Sequence, residues 1–248
     1  FLTAPLIGGV LLDLTGWRAG FIFAAVAALI WLLSTLFIMP ETGKAQRPVE
    51  MDRPSVVYIR LFRHRGFLAF MLTHSIGYAG LYCFVAGAPY YFIDSNGMAP
   101  SIYGVIAAIA MSGFLAGSFA ARAVIPRWGS PSVINVSLLL MFFPPVVLAG
   151  CGVAGWSMVW VVVILQFVFW FSGGFLAPNT AAGVMMSHPK AAGAAAAVLG
   201  FVQMCAAAAV SLTQGLIYDG TLLPVVGMQV ALGLVAWLIW TVLKRLAF

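Results

Sequence analysis

Each of the eighteen charged side chains in this sequence lies between long apolar runs, and none lies inside one. The runs cover residues 19–39, 66–93, 102–121, 132–153, 157–180, 191–217 and 222–243. A charge at the bilayer centre costs about 2.5–3.5 kcal/mol on insertion scales, and a helix needs about 20 apolar residues to cross the hydrocarbon. Seven such runs in 248 residues restrict the chain to an all-α polytopic membrane protein with seven complete transmembrane helices. The bases then fix a topology. Arg18 precedes the first run, and six Lys and Arg fall between 40 and 65. Of the later connections, alternate ones carry Arg122 with Arg127, Lys190, and Lys244 with Arg245, and the others carry no base. Eleven bases therefore share one side and one lies on the other. The positive-inside rule assigns the 40–65 loop and the C-terminus to the cytoplasm. The opposite connections carry Asp13, Asp94 and Asp219.

Composition narrows the function classes. Hydrophobic residues make up 63% of the chain and charged ones 7%, against about 25% charged in soluble proteins. The net charge of +6 is spread over loop ends instead of forming a patch, so it speaks for topology and against nucleic acid. Cys83, Cys151 and Cys205 sit singly inside apolar runs, which suits small packing residues and neither a disulfide framework nor a metal site. The sequence implies no cofactor. It contains no GxSxG, HExxH or P-loop, and the runs hold no carboxylate pair for hydrolysis or a proton relay, so an enzyme is not expected.

Residues 1–12, FLTAPLIGGVLL, are apolar but at 1.5 Å per residue reach only about 18 Å of the roughly 30 Å of hydrocarbon. Asp13, Gly16 and Trp17 mark a turn at the outer interface. The expectation is that a helix arriving there starts upstream and that the chain is the C-terminal part of something longer. The 40–65 connection is the one long loop, and a boundary between two halves falls there. Its last stretch, SVVYIRLFRHR, mixes apolar residues with Arg60, Arg63 and Arg65 and predicts a short surface helix at the anionic inner leaflet.

Small residues recur at helical spacing in the later runs. Gly104, Ala108, Ser112, Ala116 and Ala120 form one ridge, with Gly113 and Gly117 as a GxxxG beside it. Ser75, Ala79, Cys83 and Gly87 form a second, and Ala192, Ala196 and Gly200 a third. In lipid such ridges mark tight helix pairs. Pro144-Pro145 and the pairs Gly173-Gly174 and Pro178-Asn179 predict breaks, the latter beside a cavity.

Three uncharged polar faces stand out. His74, Tyr78 and Tyr82 recur at i, i+4 and i+8; Gln166, Trp170 and Gly174 do the same; and Gln203, Ala207, Ser211 and Gln214 share a side of the penultimate run. Such groups suit an amphipathic organic substrate, which needs stacking surface and a few hydrogen bonds. Interhelical hydrogen bonding, worth about 0.6 kcal/mol per bond, is the competing explanation.

The opening APLIGG, the turn GWR and an apolar helix ending in PET resemble the fifth and sixth helices of major facilitator superfamily exporters. Pro5, Gly8 and Gly9 match the end of their antiporter signature, with Ala4 where the family usually has Gly. The stretch GLYCFVAGAPYYFIDSNGMAPSIYGVIAAIAMSGFLAGSFAAR is similar to helices seven and eight of the bicyclomycin/chloramphenicol-resistance (Bcr/CflA) branch. LAPNTAAGVMM with AAGAAAAVLGFVQ is similar to its junction of helices ten and eleven.

The resemblance implies the major facilitator fold from the end of helix five through helix twelve. Residues 1–39 would be the end of the N-terminal bundle, 40–65 the inter-bundle loop and 66–248 the C-terminal six-helix bundle. It implies a drug exporter of the bacterial inner membrane, coupled to protons and monomeric when joined to the missing N-terminal half. His74, Tyr78, Tyr82, Gln166, Trp170 and Gln203 would line its substrate cavity. Arg122 and Arg127 would lie in the gating loop between helices eight and nine, where GSFAARAVIPRWG is a degenerate form of the family's loop motif, lacking its Asp. A transporter of metabolites or nutrients and a non-functional truncated product remain alternatives. A retinal protein does not fit, because no run contains a Lys for the Schiff base.

Overall fold

In lipid every backbone polar group must find a partner within the protein, and a continuous helix achieves this within one segment. A computed structural model describes residues 3–39, 54–155 and 158–247, and its regular structure is helical throughout these segments. The helices are α1 (Thr3–Thr15), α2 (Trp17–Ile38), α3 (Pro54–Arg63), α4 (Arg65–Pro89), α5 (Pro100–Trp128), α6 (Ser130–Val153), α7 (Val159–Ser187), α8 (Ala192–Ile217) and α9 (Leu223–Ala247). A π-helical turn, Tyr90–Ser95, extends α4. Seven helices are long and apolar enough to span a membrane: α2 and α4 to α9. The expected surface helix appears as α3, whose last turn carries Arg60 and Arg63. The stop at Pro40 and the bases before Pro54 fall outside the described residues.

The bundle has an internal two-fold pattern. Helix α4 packs against α8 and α9, as α7 packs against α5 and α6, while α4 meets α7 and α6 meets α9. Exchanging α4–α6 with α7–α9 maps these contacts onto themselves. Helices three spans apart run in opposite directions, so in these contacts the two triplets repeat in inverted orientation. Helix α1 packs on α5, whereas α2 has no buried residue.

Ends of the bundle are sorted by charge. His64 meets His188 with ring centroids 4.8 Å apart, and Asn135 accepts from both Trp240 Nε1 and Lys244 Nζ, each at 2.9 Å. These contacts gather the basic helix ends into one layer. At the opposite end Asp13 Oδ2 accepts from Ser101 N at 2.9 Å, placing a carboxylate on the N-terminus of α5. There too Ser95 Oγ and the Tyr218 hydroxyl share a hydrogen bond of 2.5 Å. Asp219 Oδ1 accepts from the Thr221 hydroxyl at 2.7 Å and its amide at 2.9 Å, and these bonds hold its pKa below the usual carboxylate value.

Two sequence expectations need correction. Gly173-Gly174 and Pro178 do not break α7, which continues to Ser187, and Pro144-Pro145 lie within a continuous α6. Proline at 178 removes the donor that would meet the Gly174 carbonyl. Ser118 Oγ of α5 donates to the Phe114 carbonyl at 2.8 Å, and the Gly174 carbonyl lies farther from it, at 3.4 Å. The glycines serve packing instead: a Cβ on Gly173 would strike the Leu81 side chain and one on Gly174 the Phe114 carbonyl. The ridge on α5 also divides. Gly104 faces the Pro5 carbonyl of α1, while Gly113 and Gly117 face the Phe167 and Phe171 carbonyls of α7. The ridge on α4 pairs as expected, with Ala79 and Cys83 against Val210 and Val225. A Cβ added to Gly200 of the third would meet nothing among the described residues.

Candidate functional site

Helix α4 enters the bundle at Arg65, and its fourth-residue spacing stacks three rings along one side. His74 lies roughly 13 Å along the axis from that end, at 1.5 Å per residue, well inside the apolar layer. Its ring is nearly parallel to that of Tyr78, at 7° and 6.4 Å between centroids. Tyr78 in turn meets Tyr82 at 5.4 Å. His74 is 7% exposed, whereas Tyr78 and Tyr82 are half-buried. Two neighbouring helices complete the group. His74 Nδ1 lies 2.8 Å from Thr180 Oγ1 of α7, and Nε2 lies 2.9 Å from Gln203 Oε1 of α8. Gln203 is itself half-buried. Four of the six expected cavity residues, His74, Tyr78, Tyr82 and Gln203, therefore form one patch.

The other two lie elsewhere. Gln166 is 0% exposed, and its Nε2 donates to Gln229 Oε1 of α9 at 2.9 Å. Gln229 Nε2 returns a bond to Gln166 Oε1 at 3.3 Å and reaches the Gly80 carbonyl at 3.4 Å. Trp170 is 1% exposed and meets the Phe114 ring edge-on at 6.5 Å. Both side chains point into the interior of the six-helix bundle because α7 is enclosed by α4, α5, α6 and α8. Thr180 and Gln229 were not singled out from the sequence. Each is a partner of a polar group on another helix, and spacing along one helix carries no trace of that.

Arg122 and Arg127 sit on the last turns of α5, not in a loop; both are exposed, and only Gly129, at φ 73°, separates α5 from α6. Pro5 and Gly9 face α5: a Cβ on Gly9 would fall 2.5 Å from the Pro100 carbonyl oxygen, while one on Gly8 would meet nothing. At the basic end, partial burial, then the charges of His64 and Arg60, push the pKa of His188 down. No group of three or more His, Cys, Asp or Glu that could hold a metal occurs among the described residues.

The sequence profile of the Major Facilitator Superfamily matches residues 1–213. The chain belongs to the Major Facilitator Superfamily. It is thus an integral, multi-pass membrane protein. Similar curated proteins include the multidrug resistance protein D of Escherichia coli strain K12, 31% identical over 82% of this chain and 50% of that protein. The bicyclomycin resistance protein homolog of Haemophilus influenzae is 22% identical over 84% of the chain and 52% of its own length. The chloramphenicol resistance protein of Pseudomonas aeruginosa is 25% identical over 79% and 43%. The chain spans about half the length of these relatives.

Proposed function

We propose that this chain forms the C-terminal part of a secondary transporter that exports small amphipathic drugs in exchange for protons by alternating access. The observation that carries this reading is the patch of Tyr78, Tyr82, Gln203 and His74 deep in the apolar layer, aromatic and hydrogen-bonding but without a fixed charge. An exporter of uncharged or weakly charged organic molecules needs such a surface. The names of the three relatives support the substrate class. Alternating access would then rock this bundle against the other around a central site. The Pro5–Gly9 segment clamped on α5 supports a place for that contact at the junction of the bundles.

Coupling has a direct test. A charge moving down about 100 mV releases about 2.3 kcal/mol, enough for a gradient of roughly fifty-fold. Cells expressing the complete protein should extrude chloramphenicol, and an uncoupler should abolish that export. Export that survives the uncoupler rejects proton antiport.

Orientation follows from the bases. We place the end that gathers Arg60, Arg63, Arg65, Arg122, Arg127, Lys190, Lys244 and Arg245 in the cytoplasm of a bacterial inner membrane. In a background lacking Cys83, Cys151 and Cys205, a cysteine at Ser95 should react with an impermeant maleimide applied to intact cells. One at Lys190 should react only after lysis. Labelling of Lys190→Cys from outside would reverse the assignment.

A further inference from the structure

Where α6 packs on α9, an apolar cleft and a positive charge lie in line. Asn135, Leu138, Leu139 and Phe142 recur at three- and four-residue spacing, so they share a side of α6. On the antiparallel α9, Leu234, Trp237, Thr241 and Lys244 do the same. Between these two sides Leu138, Leu139, Phe142, Leu234 and Trp237 line a cleft of about 190 Å³. Leu138, at 0% exposed, is its floor, while Leu139 at 51% and Leu234 at 43% are open walls. Near the deep end the helices come together, with the Phe142 Cα 3.8 Å from where a Cβ on Gly233 would lie.

The other end of the cleft leads to Lys244, roughly 15 Å along the axis from Leu234 at 1.5 Å per residue. Asn135 Oδ1 accepts from Lys244 Nζ and from Trp240 Nε1, each at 2.9 Å, and Trp240 is fully buried. The ammonium is thus positioned from inside the protein. It has three hydrogens to donate; Asn135 takes one and supplies no negative charge. The described carboxylates, Asp13, Asp94 and Asp219, all belong to the opposite end of the bundle. Lys244 is half-buried, so its charge is partly withdrawn from water with no anion beside it among the described residues. A charge in that setting calls for an anionic partner that accepts hydrogen bonds.

The bilayer is the source of that partner. The α6–α9 edge lies across the α4–α7 pair from α5 and α8, and α1 docks on α5, so the cleft faces away from α1. Both walls belong to spanning helices, and at this depth they meet acyl chains. Sites that enclose drug-sized molecules hold about 300–1,000 Å³. This cleft is smaller and open along one side, which suits a stretch of a single acyl chain.

We propose that the α6–α9 edge binds one anionic phospholipid, with its phosphodiester on Lys244 and one acyl chain in the cleft. The phosphate oxygens accept the two remaining ammonium hydrogens, and the adjacent, exposed Arg245 adds a second positive charge at headgroup depth. From there the chain runs past Trp237 and Leu139 onto Leu138. A zwitterionic phospholipid has the same phosphate and chains, but its own ammonium cancels the charge and competes for the phosphate. The site therefore ranks phosphatidylglycerol above phosphatidylethanolamine. Bound there, the lipid bridges the two triplets of the bundle at the seam where α6 of one meets α9 of the other.

The complete protein, delipidated in detergent, can be titrated with either lipid in matched chain length, with bound molecules counted by native mass spectrometry. One phosphatidylglycerol should bind roughly five- to tenfold more tightly than phosphatidylethanolamine, the scale of one base near a membrane surface. Lys244→Gln should abolish that preference and Lys244→Arg should keep it. Lys190→Gln removes an equal charge from an exposed position between α7 and α8 and should leave the preference intact. Leu234→Trp fills the cleft and should weaken both lipids alike. Equal wild-type affinity for the two lipids, an equal loss in Lys190→Gln, or unchanged binding in Leu234→Trp overturns the proposal. A dimer that forms through α6 and α9 and expels the lipid gives the edge to a second copy, and overturns it too. The wild-type ranking and Leu234→Trp decide the matter even if Lys244→Gln fails to fold.

Discussion

Leucine at Gly117 should remove the folded protein from the membrane. At this position α5 crosses α7 so closely that an added Cβ would land on the Phe171 carbonyl, and Gly113 stands in the same relation to the Phe167 carbonyl. A side chain can swing aside, whereas a helix carbonyl is held by its own hydrogen bond. The two helices would have to separate along a contact that close packing created, since lipid supplies no hydrophobic drive to restore it. Overpacking of ordinary cores costs about 1–3 kcal/mol and sometimes more. Here the obstacle is backbone and the inserted group is four carbons, so the upper end applies. Gly117→Leu should lower the amount of monodisperse protein extracted from membranes at least tenfold, with Gly117→Ala intermediate. Gly150→Leu is the control, because Gly150 is exposed on α6 and a Cβ there meets nothing. It should stay within about 0.5 kcal/mol of wild type. Normal accumulation of Gly117→Leu would show that the α5–α7 crossing is looser than the structure has it.

The spans were legible because the bilayer imposes one rule that a single sequence can display. A charge is too costly in the middle of a run, so Asp94, Arg122 and Lys190 mark the ends of helices even though the last turns of α5 extend past Arg122 to Trp128. Small-residue ridges also announced that helices meet closely, but not which ones. Gly104 and Gly113 lie on the same helix and serve different partners, α1 and α7, because the helix presents different sides to each. The site was half legible for a related reason. Three rings at fourth-residue spacing must share a side, and the α4 patch follows. What each ring touches depends on residues such as Thr180, which is 106 positions from His74 in sequence. Gln166 and Trp170 share a side in the same way, yet that side faces the bundle interior. Periodicity gives a direction relative to the helix and leaves its direction relative to the protein undetermined, and on a helix enclosed by four others nearly every direction is inward. The proline at 178 lies within an α7 that continues to Ser187, an outcome the local sequence does not display.

Trp170→Ala should therefore act on stability and not on substrate choice. A cavity-wall tryptophan would lose about 0.5–1.5 kcal/mol of aromatic contact with drug, and protein levels would hold. Trp170 is 1% exposed, with Phe114 of α5 against it. Truncating a buried Trp costs about 3–5 kcal/mol through lost contacts and the cavity left behind. Unlike water-soluble cores, the transfer term is small in lipid, but the lost packing is the force that holds membrane helices together. The variant should show a clearly lowered melting temperature and less protein in the membrane, with export of every tested drug reduced in proportion to the protein that remains. Trp170→Phe should recover part of the loss, since it refills much of the volume. Tyr82→Ala, on the half-buried patch, should do the reverse: near-normal protein and a changed ranking among drugs. A Trp170→Ala protein that accumulates normally and loses some drugs while keeping others would place this side chain on the transport path, and with it would require α7 to turn by a large angle when the complete transporter opens.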